Sequence, residues 1–324
     1  MRRARRCGLV GRAAVFGRGV ALLAALVAVW PAVARAQDAS DPGSPSLAIR
    51  PAVDGAVIVT ALALAGVASL VHVDTQRRWD HELLPIDDPV KRNFSAGAAR
   101  ASDLLLTLAV LTPLAADAGR GLDGAMGQRT LVYGETLAVS LALNAGAKYL
   151  VGRPRPYVYN ADPLVLEYAR GQERDSRLSF YSGHAATSFA AAVAGAYLFS
   201  QSSADTTTRT VVWATGLALA GATSNLRVRG GKHFYSDVII GSVVGAGVGL
   251  AVPMLHMHGQ PGARSLATSE WIAIAAAPIA GALVSQLIPM PADVTLPLGG
   301  KPSTAQVLPW LSGNGGGVMF ARQF

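Results

Sequence analysis

Six stretches of the chain are nearly uninterrupted runs of apolar and small residues, and the polar residues collect between them. Their Ala and Gly content favours helices packed closely together in a bilayer. Most are at the short end of the roughly 20 apolar residues that span a membrane, so a buried helical bundle in a soluble protein is the open alternative. We predict an all-α fold, a membrane-embedded bundle of about six apolar helices, at residues 53–73, 102–118, 130–150, 184–200, 209–224 and 237–255.

The segments between these runs differ in character. Residues 74–101 are polar, and Pro85 and Pro89 argue against one continuous helix there. Residues 157–181 form a long connection of mixed charge. A connection of this length inside a compact core is typically functional, and we predict a lid over a site.

The end of the chain, residues 257–324, changes to Gly, Pro and short apolar runs. Pro278 and a run of glycines interrupt helical continuity. We therefore expect the stretches "WIAIAAAPIAGAL" and "GGGVMFARQF" to be strands or extended segments. The prediction is a helical core over 53–256, followed by a short irregular or β-like tail.

The first 36 residues combine seven arginines and no acid with an apolar run and small residues before Gln37. This pattern is typical of a secretory signal peptide, cleaved before Gln37, with an uncleaved anchor helix as the alternative. Residues 37–52 then form a linker. The single cysteine, Cys7, lies in the leader, so a cleaved product is expected to have no disulfide and no cysteine metal site.

Composition supports the membrane interpretation. Charged residues make up 15% of the chain, against about 25% in soluble domains. The net charge of +8 does not indicate a nucleic-acid partner, because seven of the 28 basic residues lie in the leader and leave 21 against 20 acidic residues. We expect membrane lipids as partners and the envelope of a bacterium as the location.

The first of three polar clusters is "KYLVGRPRP", residues 148–156. Lys148 and Arg155 are seven positions apart, so both point the same way if a helix continues that far, although Pro154 argues against it. Arg153 also precedes a proline, and the spacing alone does not decide between the two arginines. Basic residues at a membrane helix end also simply reach for lipid head groups.

The second cluster is "YSGHAATSF". Ser182 and Gly183 come directly before an Ala-rich helix, whose free backbone N–H groups form a natural anion cradle. His184 is expected in the first turn of that helix. Ordinary helix capping by the serine is the commoner explanation of such a triplet.

The third cluster is "LRVRGGKHFYSD". His233 and Asp237 are four positions apart, so on a helix the carboxylate can reach the imidazole and leave its other nitrogen free to attack. Arg227 precedes the histidine across two glycines that allow the loop to fold back. An ordinary charged loop is the alternative, but such charges beside apolar helices are costly and favour a functional role.

Together the clusters fit a phosphoryl group. Lys148, Arg155 and Arg227 are three cations for its equatorial oxygens. His233 is placed as the nucleophile and His184 as the acid that protonates the leaving oxygen.

No dense carboxylate cluster that would hold magnesium or zinc accompanies these motifs, so no metal or other cofactor is expected. His256 and His258 form a His-x-His pair, but no further ligand follows nearby in the sequence. We therefore assign no metal to this pair.

The three clusters resemble the signature of the type 2 phosphatidic acid phosphatase superfamily, K-x6-R-P, P-S-G-H and S-R-x5-H-x3-D. The resemblance selects Arg155 rather than Arg153 for the first motif. Tyr181 stands where proline is usual, and Leu226 where serine is usual.

The resemblance implies an all-helical core and a phosphohistidine intermediate on His233. It further implies that Asp237 orients this histidine and that His184 acts first as acid and then as base toward water. Sites of this family generally face away from the cytoplasm. If each of the first three apolar runs crossed the membrane, the site would lie on the cytoplasmic side. We therefore expect one of these runs, 102–118 or 130–150, not to cross the membrane.

The leading hypothesis is a metal-independent phosphatase that acts on a lipid phosphate or diphosphate, with its site on the periplasmic side. A soluble periplasmic acid phosphatase acting on small phosphate monoesters is the nearest alternative. A vanadium-dependent haloperoxidase and an inert membrane scaffold are less favoured. The substrate itself is not specified by the sequence.

Overall fold

The computed structural model describes residues 47–73, 82–119, 124–202, 204–258 and 263–289, and the backbone of two later strands. The predicted signal peptide lies outside these ranges. The predicted all-α fold is confirmed. The helices are α1 Pro51–Leu70, α2 Ala96–Ala118, α3 Gly124–Val151, α4 Pro163–Gly171, α5 Gly183–Ser200, α6 Thr206–Arg229, α7 Tyr235–Met257 and α8 Thr268–Gln286, with 3-10 turns at Pro85–Val90, Pro156–Tyr159 and Asp175–Arg177.

Helices α5 and α6 form the centre of the bundle. Helix α5 packs against α2, α3, α6 and α7, and α6 packs against α2, α5 and α8. The largest side chains between them, Trp213 and Leu217, are buried together with Phe189. Small residues set the helix spacing: a Cβ atom at Gly245 of α7 would lie 2.1 Å from the carbonyl oxygen of Ala186. Such close backbone approach is typical of helices packed in membranes.

The stretch "WIAIAAAPIAGAL" is helical, so the prediction of an extended segment is wrong. Pro278 is accommodated inside α8, where neighbouring groups can compensate for the lost helical hydrogen bond. The helix fits closely because Gly221 of α6 faces Pro278, and a Cβ atom there would lie 1.9 Å from the proline carbonyl oxygen. The helical bundle therefore extends one helix beyond residue 256.

The C-terminal end of α8 is held by polar side chains of α6. Arg229 donates to the carbonyl oxygens of Ser285 and of Ile288, the latter at 2.8 Å. Asn225 donates to the carbonyl oxygen of Ala282 at 3.2 Å. These bonds add donors from α6 to carbonyl groups at and just beyond the end of α8, where a cation also interacts favourably with the helix dipole.

Residues Asp293–Phe324 form a separate compact unit. Within it, the strands β1 Ala305–Ser312 and β2 Gly315–Arg322 pair as an antiparallel hairpin. The extended conformation predicted for "GGGVMFARQF" is present over β2.

Four helices in the described ranges are long and apolar enough to cross a membrane: α1 over Pro51–Ala68, and α2, α7 and α8. Of the two weak early spans, the one at α2 meets this criterion and the one at α3 does not. Large apolar side chains on these helices point away from the bundle, among them Val59, Leu64, Val67, Val243, Trp271, Ile272, Ile279 and Leu283. An apolar outer surface of this kind indicates association with a membrane.

Candidate active site

The three sequence clusters meet at one end of the bundle. This end is formed by the C-terminal ends of α3 and α6 and the N-terminal ends of α5 and α7. Arg155 Nη1 lies 3.3 Å from His233 Nε2, and Lys148 and Arg227 lie close enough to both residues to act on their charges. The structure therefore brings together residues 85 positions apart in the chain.

Helix α3 does not continue to Arg155. It ends at Val151, where Gly152 takes a left-handed φ of 63°. Arg155 then lies in extended backbone, at the start of a 3-10 turn. Its guanidinium donates to the carbonyl oxygen of Lys232 at 2.7 Å and to the Asp175 carboxylate at 2.6 Å. A turn and not two helical turns therefore directs Arg155 toward the histidine.

Arg153, the arginine that the resemblance sets aside, has a different place. Its buried guanidinium donates to Asp237 Oδ1 at 2.7 Å and to Asp87 Oδ2 at 2.8 Å. Asp87 lies in the polar connection before α2 and also accepts from the Ser236 backbone and hydroxyl. Arg153 therefore fastens this connection to the start of α7, while Arg155 faces the candidate nucleophile.

His233 is oriented by a backbone carbonyl. Its Nδ1 lies 2.7 Å from the carbonyl oxygen of Ser179, which can only accept, so Nδ1 carries the hydrogen and Nε2 keeps its lone pair. Asp237 Oδ2 is 3.8 Å from Nδ1, beyond hydrogen-bond distance. That oxygen instead accepts from the Ser179 hydroxyl and the Phe234 amide. The predicted direct orientation of His233 by Asp237 is therefore wrong, because Asp237 acts through its neighbours.

The second cluster forms the N-terminus of α5, as predicted, with His184 in the first turn. Ser182 is occupied structurally: its hydroxyl accepts from the Ala185 amide, and its own amide donates to the Asp237 carbonyl oxygen at 3.0 Å. The expected anion contact of the Ser182 amide is therefore not available. In the described ranges, the amides of Gly183 and His184 have no partner and are the open donors.

Asp103, on α2, is a site residue that the sequence interpretation missed. Its Oδ1 atom lies 2.8 Å from His184 Nε2 and 3.1 Å from Arg227 Nη1. Arg227 keeps one donor free, since its buried Nε atom has no hydrogen-bond partner in the described residues. The Asp103 carboxylate thus fixes the side chains of Arg227, the predicted phosphate ligand, and His184, the predicted acid for the leaving oxygen.

Lys232 is a fourth cation that the motifs do not include. Its Nζ atom donates to the Tyr168 hydroxyl at 2.5 Å and lies over the rings of Tyr157 and Tyr168. Tyr168 belongs to α4, inside the connection predicted as a lid. Burial, with repulsion from Arg155, lowers the pKa of Lys232 to about 7.

Electrostatics favours a neutral His233. Burial, followed by repulsion from Arg155 and Arg227, lowers the pKa of His233 well below its ordinary value. Burial opposes ionisation of Asp175, but Arg155 and Lys232 outweigh it and lower the pKa of this carboxyl. The result is an unprotonated imidazole nitrogen among cations, which suits attack on an anionic centre.

The two departures from the family signature lie in packing positions. Leu226 is fully buried against Ala98 and Leu219. Tyr181 is also buried, and its carbonyl oxygen accepts from the Asn144 side chain at 2.8 Å. Neither change removes a charged group from the site.

A comparison with protein-family models identifies the same part of the chain. Residues 129–259 match the family model of the PAP2 superfamily. Comparisons with curated proteins and with solved structures found no match. The matched segment contains all three motif clusters and the cationic end of the bundle, so this part of the chain is similar to the PAP2 superfamily.

Proposed function

We propose that the protein is a phosphatase that hydrolyses a phosphate monoester on a lipid, through a phosphohistidine at His233. The observation that carries this proposal is the unprotonated Nε2 atom of His233, which accepts a hydrogen bond from Arg155 Nη1 at 3.3 Å, with the unpartnered Nε donor of Arg227 close by. Lys148 and Lys232 add two further basic side chains around His233.

The reaction proceeds in two balanced steps. His233 Nε2 attacks phosphorus, the bond to the leaving oxygen breaks, and protonated His184 gives that oxygen its proton and becomes neutral. Burial and repulsion from Arg227 lower the pKa of His184 to about 4 in the free protein, so the negative charge of the bound phosphate has to raise this pKa before the step. His184 then takes a proton from water, whose oxygen attacks phosphorus and breaks the P–N bond. Because His184 Nε2 contacts Asp103 in the free protein, the leaving oxygen has to replace this carboxylate.

The cations of the site take the place of a metal in stabilising the phosphoryl charge. Arginines and backbone amides directed at the equatorial oxygens supply this type of stabilisation. The amides of Gly183 and His184 add donors at the N-terminus of α5, where the helix dipole favours an anion.

A lipid substrate is favoured by the outer surface of the bundle. The exposed apolar side chains of α1, α7 and α8 are suited to acyl chains. A headgroup phosphate can then enter at the end of the bundle under α4, an amphipathic helix beside the site. We infer a location in a bacterial envelope membrane, with the site on the periplasmic side.

The test is phosphate release by the purified protein in detergent, with EDTA present. A lipid phosphate, a lipid diphosphate and a soluble monoester are compared, each with wild type and His233→Ala. We expect turnover of the lipid substrates that disappears in His233→Ala. Equal turnover of the soluble monoester would favour the acid-phosphatase alternative, and full activity of His233→Ala would exclude the proposed nucleophile.

A further inference from the structure

A second group of buried ionisable side chains lies far from the phosphate site. Asp54 of α1, Glu135 of α3 and His256 of α7 are each more than nine-tenths buried. One ligand atom from each lies within 4.8 Å of the other two. On α7, His256 is 19 positions beyond Asp237, about 28 Å along a helix. The group is therefore separate from the proposed catalysis.

The orientation of the His256 ring is set by the backbone. Its Nδ1 atom lies 3.1 Å from the carbonyl oxygen of Ala48, which can only accept, so Nδ1 carries a hydrogen. The Nε2 atom then points at Glu135 Oε2, 3.0 Å away. Histidines that bind metals characteristically donate their other ring nitrogen to a carbonyl or carboxylate in this way.

This arrangement requires a cation. A lone pair on Nε2 would repel the facing carboxylate oxygen unless a proton or a metal ion lies between them. In the described ranges, no Lys or Arg side chain contacts either carboxylate: Asp54 accepts only from the backbone amide of Arg50, and Glu135 contacts only His256. Buried carboxylates normally pair with a cation or coordinate a metal. A single proton on His256 would compensate the negative charge of only one of these two carboxylates.

We propose that Asp54, Glu135 and His256 bind a divalent metal ion of the Zn²⁺ class. One imidazole nitrogen and two carboxylate oxygens are ligands that Zn²⁺ accepts in proteins, and the imidazole makes the set less suited to Mg²⁺ or Ca²⁺. The ion joins α1, α3 and α7, which come from distant parts of the chain. The sequence did not indicate this site, because Glu135 lies 121 positions from His256.

The metal has a structural role. Its ligands come from three helices, and His256 also anchors the segment before α1, since its backbone carbonyl accepts from the Ala48 amide at 2.7 Å. Metal binding therefore stabilises the contact of α1 with the rest of the bundle. Hydrolysis at His233 continues without this ion.

The test uses the full-length protein in detergent, stripped with EDTA and then titrated with Zn²⁺, Mn²⁺ or Mg²⁺. Bound metal is counted by elemental analysis, and Tm is followed in parallel. We expect one Zn²⁺ per chain and a Tm that rises with Zn²⁺ concentration, with a smaller response to Mn²⁺ and least to Mg²⁺. Glu135→Gln and His256→Gln should lose both effects. His258→Gln, two positions away and exposed, should keep them.

Several outcomes would overturn the proposal. One is a wild-type protein without any Zn²⁺-dependent rise in Tm, a measurement that depends on no variant. Another is an equal loss of Zn²⁺ binding in His258→Gln and His256→Gln. A Tm that changes with pH but not with Zn²⁺ concentration would show that protonated His256, and not a metal ion, pairs with the carboxylates. Should Glu135→Gln fail to fold, Asp54→Asn tests the same site. Phosphate release in EDTA is scored separately, so failure here leaves the phosphatase proposal untouched.

Discussion

The Nδ1 atom of His233 lies 2.7 Å from the Ser179 carbonyl oxygen, and the nearest Asp237 oxygen is 3.8 Å away. The tautomer of the candidate nucleophile is therefore fixed by the backbone. A carboxylate that fixes a catalytic tautomer alone is worth roughly 10⁴-fold in kcat when it is changed to the amide. Asp237 has a different task, since it ties Arg153, Ser179 and the start of α7 together.

We therefore expect Asp237→Asn to reduce kcat far less than this roughly 10⁴-fold, while His233→Ala removes turnover. The free energy of unfolding should fall by less than the roughly 3–5 kcal/mol of a fully broken buried ion pair, since Arg153 keeps the buried Asp87 as a partner. The kcat of both variants is measured at a temperature where both are folded, and the Tm of each is measured separately. A loss in Asp237→Asn as complete as that in His233→Ala would contradict the indirect role.

The two arginines of the first cluster should separate activity from stability. Arg153→Met leaves the buried carboxylates of Asp87 and Asp237 without their cation and should cost about 3–5 kcal/mol. Arg155→Met leaves only Asp175, which is partly exposed, and should cost less stability. It should reduce kcat by roughly 10²- to 10³-fold, as loss of one transition-state donor does. Denaturant unfolding and phosphate release are measured for both variants. A larger loss of stability in Arg155→Met and a larger loss of kcat in Arg153→Met would contradict these roles.

Lys232 should give the reaction a pH dependence. Burial and repulsion from Arg155 lower its pKa to about 7, so the cation is lost as pH rises through 7, and kcat/KM should fall there. Lys232→Met should have a kcat/KM lower by about 10-fold or more, the effect of one hydrogen bond from a charged group. Its kcat/KM should also fall less steeply near pH 7, because only Lys148, whose pKa burial also lowers to about 7, still loses its proton there. The variant also controls for ionisation of the substrate. An unchanged pH profile in Lys232→Met would exclude this role.

The same shift affects stability in a defined direction. The folded protein binds the Lys232 proton less tightly than the unfolded chain, whose lysine pKa is about 10.4. Between these values the unfolded state carries more protons, so this group makes the folded state more stable as pH rises from about 7 to 10. Unfolding of wild type and Lys232→Met across this range should show the difference. Parallel curves would contradict it.

Two glycines with similar backbone form a matched pair. Gly152 and Gly231 have φ values of 63° and 69°, where other residues are strained by about 1–2 kcal/mol. A Cβ atom at Gly152 meets open space, but one at Gly231 would lie 1.8 Å from the Asn93 carbonyl oxygen. We expect Gly152→Ala to cost only the strain.

Gly231→Ala should destabilise the protein further and also lower activity, because it displaces the turn that carries Lys232 and His233. Thermal unfolding and phosphate release of both variants are the measurements. Equal effects of the two substitutions would show that the contact with Asn93 can relax.

The sequence predicted those parts of the site that depend on local spacing. Six apolar runs coincide with helices, and the motif residues lie at the helix ends where polar residues interrupt these runs. His184 was placed correctly because a Ser-Gly start is a local signal for the first turn of a helix. The direct contact of His233 with Asp237 was not, since the Ser179 carbonyl comes from another part of the chain.

The residues that were missed act at long range. Asp103 lies within the apolar helix α2 and has no distinctive neighbours in the sequence, yet it reaches Arg227 across 124 positions. Helix α8 was missed because Pro278 normally breaks helices. In this bundle the proline is instead packed against Gly221. Tertiary packing outweighs the local signal in each of these cases.

The bonds from Arg229 and Asn225 to the end of α8 bear on where the protein can be cut. Residues 129–259 contain the family motifs, but α6, which carries Arg227, has one face covered by α8. A fragment that stops near 259 would expose that face and leave Arg229 without its acceptors. The smallest excisable catalytic unit therefore extends through Ile288, and an affinity tag or fusion partner belongs beyond that residue.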